Sequence, residues 1–364
     1  MSNKNITILD STLRDGAQGE GISFSVQDKL HIVEALDNLG VAFIEAGNPG
    51  SNPKDLEFFQ QAEKLTLKTA KLAAFGATRR KGIAAAEDIN LRSLLAAGTE
   101  TVVIFGKAWD FQVTEILRAA LEENIAMIRD TVAFLRAEGR TVIFDSEHFF
   151  DGWFANRDYT RQTLQAAIDG GASALVLCDT KGGTMPLSLL EAVREVRKEF
   201  GSLVGIHTHD DTGLAVANSL MAVEGGATHV QGTFIGFGER TGNANLSTII
   251  ADLELKMGYR CLPDGKLAEL TPTAQRIAEI ANLNLFEGMP YVGRNAFAHK
   301  AGMHIDAVTK NADAYEHVPP ESVGNSRVFL MSEVAGRSMI IEKIRKFKPE
   351  ITKDDPLAAE IVAR

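Results

Sequence analysis

Ile6-Thr7-Ile8-Leu9-Asp10-Ser11-Thr12-Leu13-Arg14-Asp15-Gly16 is a short apolar run that stops in two carboxylates and a guanidinium. A run of this length closed by polar residues reads as a buried strand that delivers side chains at its end. Seven more runs of the same kind follow: Ala42–Glu45, Lys71–Phe75, Thr101–Phe105, Thr141–Phe144, Ala174–Cys178, Leu203–His207 and His229–Thr233. Between them, apolar residues recur three and four apart over Asp28–Leu39, Val113–Leu135, Tyr159–Ala167 and Leu187–Phe200, which predicts amphipathic helices. Gly40, Gly98, Gly139 and Gly170-Gly171 fall where a left-handed helix C-cap is expected. Eight βα units over roughly 260 residues match the size of a (β/α)8 TIM barrel. We therefore expect an α/β chain with that barrel at 1–258; a doubly wound open sheet suits eight evenly spaced units less well.

Past Gly258 the alternation stops. Cys261-Leu262-Pro263-Asp264-Gly265 reads as a turn-rich linker, and Leu267–Leu283 and Ser338–Phe347 read as helices. A small, mainly helical region is expected at 259–364. The stretch Pro356–Arg364 reads as a helix without a cap, so the natural chain is expected to continue.

Hydrophobic residues make up 45% of the 364 positions, yet no apolar run approaches the ~18 to 20 residues of a membrane span, so a soluble protein without a membrane partner is expected. The net charge of −10 is spread along the chain, which argues against nucleic acid as a partner. Cys178 and Cys261 cannot build a disulfide framework, and Met1-Ser2-Asn3-Lys4-Asn5 leads into no apolar signal segment. A reduced, cytoplasmic setting is expected, with Cys178 a small core residue.

In such barrels the active site lies at the C-terminal ends of the strands. Those ends carry Asp10, Arg14 and Asp15; Glu45; Thr78, Arg79 and Arg80; Asp145-Ser146-Glu147-His148; Asp179-Thr180; and His207-Thr208-His209-Asp210-Asp211. His207 and His209, two apart at a strand end, can point the same way and suit a divalent cation, with Asp15 as a carboxylate ligand. The bland alternative is one core histidine and one exposed. Two histidines and a carboxylate leave coordination positions open to a 2-oxo acid's own oxygens. The loop Gly236–Asn245, with Gly236, Gly238 and Gly242, is either a phosphate cradle or a tight turn, and Asn243 could offer the metal an amide oxygen. His299 and His304 lie outside the barrel, where a histidine is usually just solvated.

Asp10–Gly16, His207–Asp211 and Gly238-Glu239-Arg240-Thr241-Gly242-Asn243-Ala244-Asn245-Leu246 together resemble the DRE-TIM metallolyase superfamily. The chain is most similar to its Claisen-condensing branch, the 2-isopropylmalate, homocitrate and citramalate synthases, and the similarity continues through Asn295–His304 to Tyr315. The segments Gly47–Asp55, Ala74–Arg80 and Asp145–Gly152 look most like one type of (R)-citramalate synthase. The resemblance implies a cation (magnesium, manganese, cobalt or zinc) on Asp15, His207 and His209, with Asn243 a fourth or near ligand. It implies that Arg14 stabilises the ketone oxygen, that Glu147 takes part in deprotonating acetyl-CoA, and that Thr180 holds the 2-oxo acid's carboxylate. His304 and Tyr315 would assist from the second region, in cis or from the partner of a homodimer. Asp145 and Phe105 are expected to line the substrate pocket, a bulky Phe105 favouring pyruvate over larger 2-oxo acids. The implied place is branched-chain amino-acid biosynthesis, toward isoleucine. Relatives often carry a C-terminal regulatory domain, for which this chain has no room, so inhibition by isoleucine or leucine is not expected. A carbon–carbon lyase of the same superfamily and a silent barrel are the competing readings.

Overall fold

The computed structural model describes residues 5–201, 204–300, 302–330, 344–345, 347–352, 355–357 and 360. The chain divides into two compact units, one of Met1–Lys266 with Thr273–Asn284 and the other of Leu267–Pro272 with Leu285–Arg364.

In the first unit, β1 (Thr7–Asp10), β2 (Phe43–Glu45), β3 (Lys71–Ala77), β4 (Thr101–Lys107), β5 (Thr141–Glu147), β6 (Ala174–Asp179), β7 (Val204–Thr208) and β8 (His229–Gly232) form a closed parallel barrel in sequence order. All eight predicted strands are present, and the ring closes where Thr7 to Asp10 pair with His229 to Gly232. The start of the seventh run, Leu203, lies outside the described residues, as does most of Ser338–Phe347 and of Pro356–Arg364.

Alternate residues of each strand point to opposite faces. The outward set, including Ile8, Ile44, Ala74, Val102, Phe144, Leu175, Ile206 and Val230, is buried. The inward set stacks in layers. Leu9, Ala73, Val103, Ile143, Val176 and Cys178 form an apolar plug. Above it the same parity delivers Phe105, Asp145, Glu147, Thr180, His207 and His209 to one cavity. An apolar floor below a polar rim follows from β-strand period alone.

The helices are α1 (Val26–Leu39), α2 (Pro53–Ala62), α3 (Ile89–Ala96), α4 (Leu121–Ala137), α5 (Phe149–Ala155), α6 (Arg157–Gly170), α7 (Pro186–Phe200), α8 (Ala215–Glu224) and α9 (Leu246–Leu255). Ser25 and Asp28 cap the start of α1 reciprocally. Gly40, Gly98, Gly139 and Gly171 all have positive φ, whereas Gly170 stays inside α6. The continuous helix expected over Val113–Leu135 is broken. A wide π turn, Gln112–Leu117, ends at Arg118 in the left-handed region before α4 begins. The Lys81 ammonium caps the freed carbonyls of Leu117 and Arg118 at 3.3 and 2.8 Å, a tertiary contact that apolar spacing does not reveal. Leu267–Leu283 likewise resolves into a 3-10 turn, Lys266–Glu269, and α10 (Leu270–Ile280).

α1 is tied to the loop after β2 by a buried ion pair. Lys29 Nζ lies 2.5 Å from Asp55 Oδ1 of α2 and donates to the Ala46 carbonyl at 2.9 Å, while Asp55 Oδ2 accepts from the Asn48 N–H at 2.8 Å. Burial pushes the Lys29 ammonium below its ordinary range, and Asp55 opposes that shift. Removing one partner leaves the other charged and unpaired, which costs about 3 to 5 kcal/mol. Asp55→Ala is expected to lower the urea-unfolding free energy by about that much, and Lys29→Met/Asp55→Leu to recover most of it.

Candidate active site

At the end of β1 the backbone turns sharply. Asp10, fully buried, accepts from the Thr12 N–H at 2.9 Å and the Thr12 hydroxyl at 3.0 Å, and Thr12 Oγ1 accepts from the Phe234 N–H at 2.8 Å. Asp10 therefore builds the turn that presents Arg14 and Asp15 and joins β1 to the segment after β8. Burial pushes its carboxyl up to about 7.

Arg14 is held from three sides. Its Nε donates to Glu45 Oε2 at 2.6 Å, its Nη1 to Asp15 Oδ2 at 2.6 Å, and its guanidinium carbon lies 3.8 Å from the Phe75 ring centroid. The Ser11 hydroxyl donates to the same Glu45 oxygen at 2.5 Å. Arginine's planar fork suits this geometry; lysine could not match it. Phe75 in turn stacks on Phe105, with centroids 5.2 Å apart at 14°.

Asp15, His207 and His209, all buried, bring one ligand atom each within 4.8 Å of one another. The two imidazole Nε2 atoms are 3.3 Å apart, and Asp15 Oδ2 lies 3.8 and 4.0 Å from them. Burial disfavours ionisation of Asp15, but Arg14, His207, His209 and the Asn243 amide together outweigh it and hold the carboxyl well below its usual range. Burial, reinforced by His209, pushes His207 down to about 3, and burial lowers His209 too. Two neutral imidazoles and a carboxylate converging in a buried cluster are a donor set that fits a divalent cation. Asn243 Nδ2 donates to Asp15 Oδ1 at 2.8 Å, and Asn243 Oδ1 is buried with no partner among the described residues, as an amide awaiting a cation or substrate would be.

The glycines that suggested a phosphate cradle have a different local reason. A Cβ on Gly238 would collide with the Asn243 side-chain amide, and one on Gly242, whose φ is 103°, would collide with the Gly236 carbonyl. The loop folds on itself to seat Asn243 against Asp15, and Gly236 contributes a positive φ to that turn.

These groups open into a cavity of about 300 Å³ lined also by Phe105, Asp145, Glu147, Cys178 and Thr180. Glu147 Oε2 is 2.5 Å from Lys107 Nζ, its register partner on β4. Burial, then the Glu45 carboxylate, holds Asp145 well above the usual carboxylate range. The Thr180 hydroxyl oxygen accepts from the His148 N–H at 2.8 Å, an arrangement reached with His148 at φ 58°. That leaves the Thr180 proton for a ligand. Cys178 is buried at the cavity floor, as a core cysteine should be.

Residues 5–280 match the HMGL-like family, and residues 291–362 match the description "Homocitrate synthase post-HMGL domain-like". The chain belongs to the HMGL-like family. It is 51% identical to an (R)-citramalate synthase of Aquifex aeolicus over 98% of this chain and 68% of that protein. To an (R)-citramalate synthase of Synechocystis sp. it is 50% identical, over 98% of this chain and 66% of that protein. It thus spans about two thirds of the length of these relatives. Among solved structures, a Bacillus subtilis HMG-CoA lyase superposes with a TM-score of 0.65 at 21% identity, covering 78% of this chain and 95% of that one, which speaks to the shared barrel fold. Within the HMGL-like family the chain falls in the Claisen-condensing branch.

The second unit of this HMGL-like chain carries His304 and Tyr315, whose rings stack with centroids 4.2 Å apart. Tyr315 is half exposed. His299 is buried, not solvated: its Nε2 lies 3.0 Å from Glu316 Oε1, and Arg327 grips Glu316 through both carboxylate oxygens at 2.6 and 2.5 Å.

Glu45, Gln231, Phe75 and Lys107 contact the site residues although the sequence assigns them no role. Gln231 carried a usable signal, as a polar residue at an inward position of an apolar strand. Phe75 and Lys107 became relevant only through their neighbours across the sheet.

The raised Asp10 carboxyl makes stability pH-dependent. The unfolded chain releases this proton near pH ~4 whereas the folded chain holds it until about 7, so stability falls as pH rises between those limits and then levels. Asp10→Asn keeps an acceptor for Thr12 but has no proton to lose. Denaturant titrations from pH 4 to 7.5 should show wild type losing on the order of a few kcal/mol relative to the variant.

Proposed function

We propose that this chain is an acyltransferase of the (R)-citramalate synthase type, condensing acetyl-CoA with pyruvate and releasing CoA by thioester hydrolysis. The observation that carries the reading is the convergence of Asp15, His207 and His209 beside the clamped Arg14, in a cavity bounded by Phe105. The near-full-length similarity to (R)-citramalate synthases selects this reaction within the branch.

A divalent cation (magnesium, manganese, cobalt or zinc) on Asp15, His207 and His209, with Asn243 close by, supplies Lewis acidity toward the 2-oxo acid. The Thr180 hydroxyl donates to the substrate carboxylate. Glu147 takes a proton from the acetyl methyl group; its ion pair with Lys107 fixes where the carboxylate points. The carbon so exposed bonds to the pyruvate ketone carbon, and the ketone oxygen gains negative charge. Arg14 Nε and Nη1 are spent on Glu45 and Asp15, and Nη2, which has no hydrogen-bond partner among the described residues, donates to that oxygen. Water then adds to the thioester carbonyl and the CoA thiol leaves. His304 and Tyr315 assist with the thioester or the water, and the working form is a cytoplasmic homodimer. Asp145, whose carboxyl burial and Glu45 push upward, lines the substrate pocket. Gly236 and Gly238 contribute by shaping the loop that carries Asn243.

No helix among the described residues is long and apolar enough to cross a membrane, which accords with small soluble substrates. The proposed functional division is a catalytic barrel at 1–258 and a linker and helical region at 259–364 that contributes to an active site, in cis or in the partner subunit.

Arg14→Ala should cut kcat by about 100- to 1,000-fold while KM for pyruvate moves far less, since charge on the oxygen develops only during reaction. Release of CoA thiol from acetyl-CoA and pyruvate is the assay, and a wild-type protein that releases none sinks the synthase reading in favour of a lyase. Phe105→Ala should deepen the pocket and shift kcat/KM toward 2-oxobutyrate or 2-oxoisovalerate by about 10- to 200-fold relative to pyruvate. An unchanged preference would remove Phe105 as the selector.

A further inference from the structure

Gln231 takes no part in the proposed reaction, yet it is fully buried inside the barrel, with its side-chain amide engaged by the site at both ends. It stands on β8 two residues after His229, so it faces inward. Its Oε1 lies 3.0 Å from His207 Nδ1, and its Nε2 donates to Asp145 Oδ1 at 2.9 Å. Asp145 belongs to β5, three strands away around the ring, so this hydrogen bond crosses the barrel interior.

The direction of the chain of bonds decides the protonation pattern. An amide has its donor and its acceptor on separate atoms, and the Nε2 group is committed to Asp145. What faces His207 is then an oxygen, which needs Nδ1 to carry the hydrogen. The second ring nitrogen is left as a lone pair, 3.3 Å from His209 Nε2 and 3.8 Å from Asp15 Oδ2. Among the described residues His209 has no such brace, and its Nδ1 is buried without a partner there.

We propose that Gln231 is a positioning residue that locks His207 in the Nδ1–H tautomer, aims its Nε2 lone pair at the cation position, and couples that imidazole to Asp145 in the substrate cavity. The proposal rests on the reading of Asp15, His207 and His209 as a cation site. It also assigns a reason for glutamine in this strand: glutamate has no N–H to offer Asp145, methionine fills the space but neither donates to Asp145 nor accepts well from His207, and asparagine is one methylene too short to span the gap.

The test uses the whole chain, freed of metal and titrated with Mn²⁺ alone, the free ion being followed by electron paramagnetic resonance. Gln231→Met should weaken binding by about 10- to 100-fold, the usual cost of losing a partner to a metal-bound imidazole. Gln231→Glu, which still accepts from His207, should bind Mn²⁺ within about threefold of wild type or more tightly. Long-range ¹H–¹⁵N spectra of histidine-labelled metal-free wild type, with His207→Gln to assign the signal, should show the proton on Nδ1. A His207 protonated on Nε2, or a Gln231→Met protein that binds Mn²⁺ as tightly as wild type, overturns the proposal. If Gln231→Met does not fold, the wild-type tautomer decides alone. Wild type that binds no Mn²⁺ defeats the cation reading, and the tautomer measurement then still reports on Gln231 by itself.

Discussion

A single guanidinium sits among three carboxylates in the barrel mouth, and the site depends on how that charge is shared. Arg14 bonds to Glu45 and Asp15 and stands near enough to Asp145 to favour its ionised form. Three buried anions cannot all be neutralised by one cation. Asp15, in direct contact, stays ionised; Asp145, pushed up first by its burial and then by Glu45 and lacking that contact, is driven toward its neutral form. The two carboxyl groups are thereby driven in opposite directions, one toward its charged form and the other toward its neutral form.

The same clamp organises the strands. Through Glu45 and Phe75, Arg14 joins β1, β2 and β3, and Phe75 passes the contact to Phe105 on β4. On the other side Gln231 joins β8 to β7 and β5. The cavity is thus braced around the ring by polar and aromatic contacts between inward residues, while the apolar plug below excludes water. A cation bound above that plug would lie in a medium where each charge interaction is stronger than in water.

The two units also share a device. In each, a buried carboxylate is held by an arginine beside a histidine: Asp15 with Arg14 and His207 in one, Glu316 with Arg327 and His299 in the other. In the second unit the triad lies next to Tyr315 in sequence and steadies the segment that carries it. The first arrangement brings ligand atoms together at one point, whereas in the second Arg327 engages both Glu316 oxygens, so the first suits chemistry and the second suits anchoring.

Much of this was legible along the chain. Strand period and the count of eight runs specify the barrel, and inward parity alone puts Asp145 with Glu147 and His207 with His209, because a strand alternates faces whatever surrounds it. The break at Arg118 was not legible, since it depends on Lys81 reaching over from the loop after β3. Asp10 resembles Asp15 in sequence, both lying at the polar end of the first strand, yet only the folded backbone makes Asp10 a turn-builder with Thr12 and leaves Asp15 facing the histidines. By itself the sequence determined which residue types reach the rim. Tertiary structure alone decided which carboxyl stays charged, which imidazole nitrogen carries a lone pair, and that Gln231 joins His207 to Asp145, because those properties are set by partners on other strands and by distance from water.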